Sequence, residues 1–199
     1  MTLVSSPVVG LSAAFGELAR EVSRSVVVVR GGPGSSGSGV VWDRPGLVIT
    51  NHHVVPGPTA QVILPDGTRY AARVSRRAPD LDLVALDVAS DAALLEAMAQ
   101  VGDSTRLRAG DLVLAVGNPM AERNAATLGM VSAPASHLLR VAINLRPGNS
   151  GGGLANARAE IVGIPNMVVG RGLALAVPTH VVQRFLLGDD MPPDRLDWL

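Results

Sequence analysis

The segment Gly148-Asn149-Ser150-Gly151-Gly152 sets a serine among residues with little bulk. A serine that attacks a carbonyl must stand on a sharply turned chain. It also needs backbone N–H groups nearby to receive the negative charge that develops on the attacked oxygen. Glycines on both sides permit that turn, although glycine-rich loops also occur with no chemistry at all. The serine therefore needs partners: a base to take its proton and a carboxylate to orient the base. Two adjacent histidines, His52 and His53, lie in Thr50-Asn51-His52-His53-Val54-Val55, just past the apolar run Leu47–Ile49. Two carboxylates, Asp80 and Asp82, open Asp80-Leu81-Asp82-Leu83-Val84-Ala85-Leu86. The chain order is histidine, aspartate, serine.

The same serine string satisfies the G-x-S-x-G pattern of α/β-hydrolases, where the acid and then the histidine follow the serine. Here only Glu160 and His180 could serve, and the remaining residues read as strands and one helix. The order excludes that reading. Gly32-Pro33-Gly34-Ser35-Ser36-Gly37 spells a dinucleotide fingerprint, but a strand follows it, so no helix N-terminus would hold a pyrophosphate. His137 and His180 read as surface or helix-start residues. No cluster has metal-ligand spacing, and no cofactor is expected.

The elements that must position these residues are mostly strands. Leu11, Ala14, Phe15, Leu18, Ala19 and Val22 form one stripe at helical spacing near the start. Val26–Val29 is a β-branched run, and Gly31–Gly39 reads as a loop rich in Gly and Ser. Strands are expected over 39–42, 47–50, 60–64, 70–77 and 84–88, with Asp66-Gly67 turning the third into the fourth. A connector with a short helix over 92–99 leads to further strands over 112–116, 125–131, 138–143, 160–169 and 173–177. A closing helix is expected over 180–187. Arg69, Arg73, Arg76 and Arg77 read as the solvated face of a hairpin. Two similar strand-rich halves argue for an all-β architecture of two barrels, with a sandwich as the alternative.

Composition narrows the partners. Of the 199 residues 47% are apolar, and 17 basic residues, all arginine, balance 17 acidic ones, so nothing favours nucleic acid. There is no cysteine, hence no disulfide and no thiolate site. Met1–Gly10 lacks the pattern of a secretory signal, and no apolar stretch is long enough to span a membrane. The expectation is a soluble, cytoplasmic protein.

The sequence resembles the protease domain of the HtrA (Deg) family of trypsin-like serine proteases. The matching stretches are Gly37–Val41, Val48–Val55, Asp82–Leu86, Gly117-Asn118-Pro119, Leu128–Ser132, Pro147–Gly152 and Leu173–Pro178, in the family's order. The resemblance implies two six-stranded antiparallel barrels of the chymotrypsin fold, with an N-terminal and a C-terminal helix. The division it suggests is a segment and helix over 1–24, a first barrel over 25–95, a second barrel and closing helix over 96–187, and a tail over 188–199. It assigns the base to His53, the acid to Asp82 and the nucleophile to Ser150. The loop Gly148, Asn149, Ser150 would form the oxyanion hole through the N–H groups of Gly148 and Ser150.

The resemblance further implies that Asn144, Leu145, Arg146 and Pro147 line one wall of the substrate pocket, with Asn166, Met167 and Val168 on the other. Neither wall offers an acidic floor, so small or medium aliphatic side chains are expected. The substrate would be an unfolded or damaged polypeptide, added as a strand along Asn166–Val169. Self-association as a trimer through the N-terminal segment is also implied. Relatives carry a peptide-binding PDZ domain after the protease domain, for which residues 188–199 leave no room. Four departures from the family's pattern stand out: Ala142 for aspartate, Pro165 for asparagine, Gly153 for Pro or Ala, and a short 131–138 segment. Pro165 would remove a donor at the start of the substrate edge. Ala142 and Pro165 motivate the alternative of an impaired, protease-like peptide-binding module.

Overall fold

In the computed structural model, the described residues are 7–89, 91–118, 124–134, 137–170 and 172–189. An N-terminal helix, α1 (Pro7–Ser23), precedes six strands: β1 (Val26–Gly32), β2 (Ser35–Val41), β3 (Leu47–Thr50), β4 (Thr59–Ile63), β5 (Arg69–Ala78) and β6 (Leu83–Val88). A short helix, α2 (Ala92–Glu96), begins the crossing to the second set. That set is β7 (Leu112–Gly117), β8 (Ala125–Ala133), β9 (Leu139–Ala142), β10 (Gly153–Asn156), β11 (Ile161–Gly170) and β12 (Leu173–Pro178), followed by α3 (Thr179–Leu187). Each set closes into an antiparallel barrel. The first runs β1-β2-β3-β6-β5-β4 and the second β7-β8-β9-β12-β11-β10, which is the same order twice. The barrels, not a sandwich, are the architecture.

Alternate side chains on the seam strands serve two different cores. Val27 and Val29 of β1 and Val48 of β3 fill the first barrel. Their neighbours Val26, Leu47 and Ile49 point the other way, into a layer shared with Leu114, Val116, Ile161, Val181 and Phe185. Val113 and Ala115 of β7 fill the second barrel. A strand buried on both faces reads as an unbroken apolar run, which is why these segments lack polar alternation. The joint layer also receives α1 and α3, so the helices brace the seam.

The structure corrects several boundaries. Gly31–Gly39 is a hairpin, not a loop: Val26–Arg30 pair with Val40–Ser36 and only Pro33-Gly34 turn. Gly31, Gly37 and Gly39 answer to close packing, whereas Gly34, at φ +74°, serves the turn. A methyl group at Gly39 would fall 2.7 Å from Val29 Cγ2 and 2.9 Å from Val48 Cγ1. Strand β10 is covered by none of the expected strands; it is short and starts in a glycine run. Helix α2 ends at Glu96, shorter than expected, with its N-terminus capped by the Asp91 carboxylate accepting from Leu94 N–H. Residues 1–6 and 190–199 lie outside the described set. So do 135 and 136, within the segment read as short.

Candidate active site

Strand β3 ends at Thr50, and the chain turns at once into a 3-10 turn over His52–Val54. Asn51, fully buried, ties this turn inward by donating from Nδ2 to the Asp82 carbonyl at 2.9 Å. His52 N–H donates to the same carbonyl at 3.1 Å. Asp82 has φ 52° and ψ 43°, the left-handed region, which for a residue with a side chain costs of order 1–3 kcal/mol. Those two bonds to its carbonyl, and its own N–H to Pro79 O at 3.0 Å, help hold it there. The result is that the Asp82 carboxylate faces His53. Asp82 Oδ2 lies 2.8 Å and Oδ1 3.1 Å from His53 Nδ1, and Oδ1 also accepts from the His53 backbone N–H at 3.1 Å.

This geometry separates the paired candidates. Asp80 is exposed on the 3-10 turn before β6, whereas Asp82 is spent on His53. A carboxylate can only accept, so Nδ1 carries the proton and Nε2 is left as the basic nitrogen. The hydrogen bond to Asp82, seconded by its negative charge, raises the His53 pKa above the ordinary 6.5, against the opposing pull of partial burial. His52 turns away: Arg77 Nη1 lies 2.6 Å from its Nδ1. Arg77 is thus half-buried and engaged, not part of a solvated face.

Ser150 comes from the second barrel, and its loop is tied across the seam. Ser38, in the middle of β2, donates from its backbone N–H to Ser150 O at 2.9 Å and from Oγ to Gly148 O at 2.7 Å. The same Oγ accepts from Asn118 N–H at 2.8 Å, and Thr50 Oγ1 donates to Ser38 O at 2.6 Å. Ser38 is fully buried and connects the strand before His53 to the loop that carries Ser150. Sequence reasoning gave it no role. The available signal was a serine between two glycines, immediately before the apolar pair Val40-Val41 of the same strand.

Around the serine, Arg146-Pro147-Gly148-Asn149 forms a type II turn closed by Asn149 N–H on Arg146 O at 3.1 Å. Pro147 supplies the first central position, and Gly148, at φ +100°, the second. The N–H groups of Gly148 and Ser150 have no acceptor among the described residues. No hydrogen bond joins Ser150 Oγ to His53 in this structure. Such contacts close on substrate binding in many hydrolases.

A histidine held by aspartate, beside a serine loop with two open backbone donors at the seam of duplicated barrels, fits one kind of enzyme. Residues 37–164 match the trypsin-like peptidase domain. The chain belongs to this family. The HtrA resemblance is borne out by relatives. Serine protease Do-like HtrA of Lactobacillus helveticus is 36% identical over 172 residues, covering 74% of this chain and 41% of that protein. Serine protease HTRA4 of Homo sapiens is 35% identical over 167 residues, covering 77% and 35%. Putative serine protease HhoA of Synechocystis is 33% identical over 157 residues, covering 71% and 40%. The chain spans only 35–41% of the length of these relatives.

In this trypsin-like domain, a pocket of ≈ 270 Å³ opens beside Ser150, lined by Leu145, Arg146, Pro147, Asn149, Pro165, Asn166, Met167 and Val168. Asn144 lies outside that lining and is exposed. Pro165 pairs with Ala176 of β12, and its carbonyl accepts from Gly151 N–H at 3.0 Å. The proline therefore sits inside β11, where its carbonyl ties the strand to the Ser150 loop. The edge beyond it keeps its donors, with Met167 and Val168 each 52% exposed.

Gly151 is the tightest point of the loop. At φ +79° it occupies the left-handed region, and a methyl group there would collide with Ser38 O and Thr50 Oγ1. Gly151→Ala is expected to lower stability by about 1–3 kcal/mol. It should also cut activity at least ~100-fold, because displacement of the serine by about 1 Å costs that much. Thermal melting together with active-site titration checks both.

Proposed function

We propose that this chain is a serine endopeptidase that hydrolyses peptide bonds of unfolded or damaged polypeptides through an acyl-enzyme. The observation that carries this reading is the Asp82 carboxylate on His53 Nδ1, which leaves Nε2 as the basic nitrogen available to Ser150. Ser150 Oγ attacks the scissile carbonyl while His53 Nε2 takes its proton. Asp82 keeps the imidazole in the right tautomer and stabilises the imidazolium. The carbonyl oxygen, now negative, takes hydrogen bonds from the Gly148 and Ser150 N–H groups. His53 then returns the proton to the leaving amine, and water hydrolyses the ester by the same route in reverse.

Substrate class follows from how the groove is built. An edge at Asn166–Val168 accepts an added strand, and only a segment free of its own fold can supply one. The pocket walls Leu145, Pro147, Met167 and Val168 suit a medium aliphatic side chain next to the cleaved bond. No metal or cofactor takes part in this scheme. Among the described residues, no helix is long and apolar enough to cross a membrane.

Treatment with a fluorophosphonate probe followed by intact-mass measurement tests the reading. One adduct on the parent chain and none on Ser150→Ala is the expected result. No adduct on a folded parent would overturn it and favour a domain that holds peptides without cutting them. Turnover of casein extends the test from an activated serine to a protease.

A further inference from the structure

We propose that Arg77 is a positioning residue for the reaction: its guanidinium sets the turn that carries His53, gripping it on both sides of the base. This inference rests on the assignment of His53 as that base. Arg77 Nη1 donates to Val55 O at 2.6 Å and lies 2.6 Å from His52 Nδ1, and Nη2 donates to Gly57 O at 2.7 Å. A guanidinium has no acceptor, so His52 Nδ1 must accept. The three contacts fall on the residue before His53 and on the second and fourth residues after it.

The mount is as informative as the grip. Arg77 lies on β5 opposite Val84, and Ala78 lies opposite Leu83, the residue that follows Asp82. Arg77 is therefore fixed to the strand pair that presents the carboxylate, while its side chain holds the segment that presents the imidazole. On the opposite side of the same turn, Asn51 Nδ2 and His52 N–H donate to Asp82 O. The turn is clamped between the backbone of the acid and the side chain of Arg77. The charged and titratable groups in hydrogen-bond contact on this turn are Arg77 with His52, and Asp82 with His53. Charge-assisted, forked bonds of this length are among the stronger and more directional ones. Lysine cannot reproduce them, because an ammonium does not span the three acceptors in one plane.

The reading differs from a purely structural one in what it moves. Loss of the clamp lets His53 drift from both Asp82 and Ser150 while the peptide edge on β11 stays intact. In Arg77→Ala, kcat is expected to fall about 10- to 100-fold with KM changed less than about twofold, the scale set by misplacement of a reacting group. The acid limb of kcat/KM should also shift to lower pH, because a looser bond to Asp82 raises the His53 pKa less. Arg77→Lys should fail to restore either property although it keeps the charge.

The experiment is peptide kinetics over pH 5–9 and fluorophosphonate labelling rates on the parent, Arg77→Ala, Arg77→Lys and His52→Ala, with thermal melts of each. If the parent shows no label dependent on Ser150, the assignment of the active site fails first. If the parent labels and a folded Arg77→Ala matches it in rate and acid limb, the positioning role is overturned. Restored activity in Arg77→Lys overturns it as well. Should Arg77→Ala not fold, His52→Ala decides. It removes one of the three contacts, and its kcat should fall with KM held. An unchanged kcat there counts against the proposal.

Discussion

Ser150→Ala should lower kcat by about 10⁶, His53→Ala by a similar factor, and the double variant by no more than either alone. The reason is that the two residues perform one step. The hydroxyl is a poor nucleophile until Nε2 takes its proton, and Nε2 has no task once the hydroxyl is gone. Removing either leaves the same residual machine: the Gly148 and Ser150 N–H groups and the strand edge, still able to bind and polarise a peptide. Additive losses near 10¹² would mean that the two act independently, which is incompatible with a shared proton. The variants are isosteric or smaller and face a partly open site, so the fold should persist. Peptide turnover in the presence of the parent's folded-state melting profile is the required comparison.

Asp82→Asn is the second large effect, a loss on the order of 10⁴ in kcat with geometry nearly kept. An amide at this position can turn its NH₂ toward Nδ1. The proton then sits on Nε2, where the base should be empty. The pH profile gives an independent check. Activity requires neutral His53, and Asp82 raises the pKa of that group through its hydrogen bond and its charge. The parent's kcat/KM should therefore reach half its plateau above pH 6.5, rising as pH rises. In Asp82→Asn both raising contributions vanish while burial still lowers the pKa, so the midpoint moves down. An acid limb that stays in place would mean that a group other than His53 governs it.

Much of the strand pattern was legible, because seam strands buried on both faces appear as plain β-branched and aliphatic runs such as Val26–Val29 and Leu47–Ile49. What misled was chemistry that has two physical meanings. Glycine and serine over 31–39 suggested a loop, since these residues usually mark freedom. Here Gly39 exists to let Val29 and Val48 pack. Arg77 looked like one more charge on a hairpin, and nothing local in the sequence says that backbone carbonyls of another turn lie within its reach. The order of histidine, aspartate and serine was readable and excluded a rival fold. The choice within His52-His53 and within Asp80 and Asp82 was not readable from residue type. It needed resemblance, and the structure supplies the physical reason: the left-handed backbone at Asp82 aims that carboxylate at His53. Ser38 escaped notice because the loop it anchors, at Gly148 and Ser150, lies more than a hundred residues away.

The ties that Ser38 makes to Gly148 and Ser150 bear on how such a protein is born. The base and acid leave the ribosome with the first barrel, and the nucleophile follows about seventy residues later. Domains form in that order, N-terminal half first. Until the second half docks, the loop holding Ser150 lacks the anchor that shapes it, and the first half alone has nothing to activate. A nascent protease of this build cannot digest its neighbours or its own unfinished chain. On the proposed reading, competence to cut arrives only with the long-range contacts that tie Gly148 and Ser150 to Ser38.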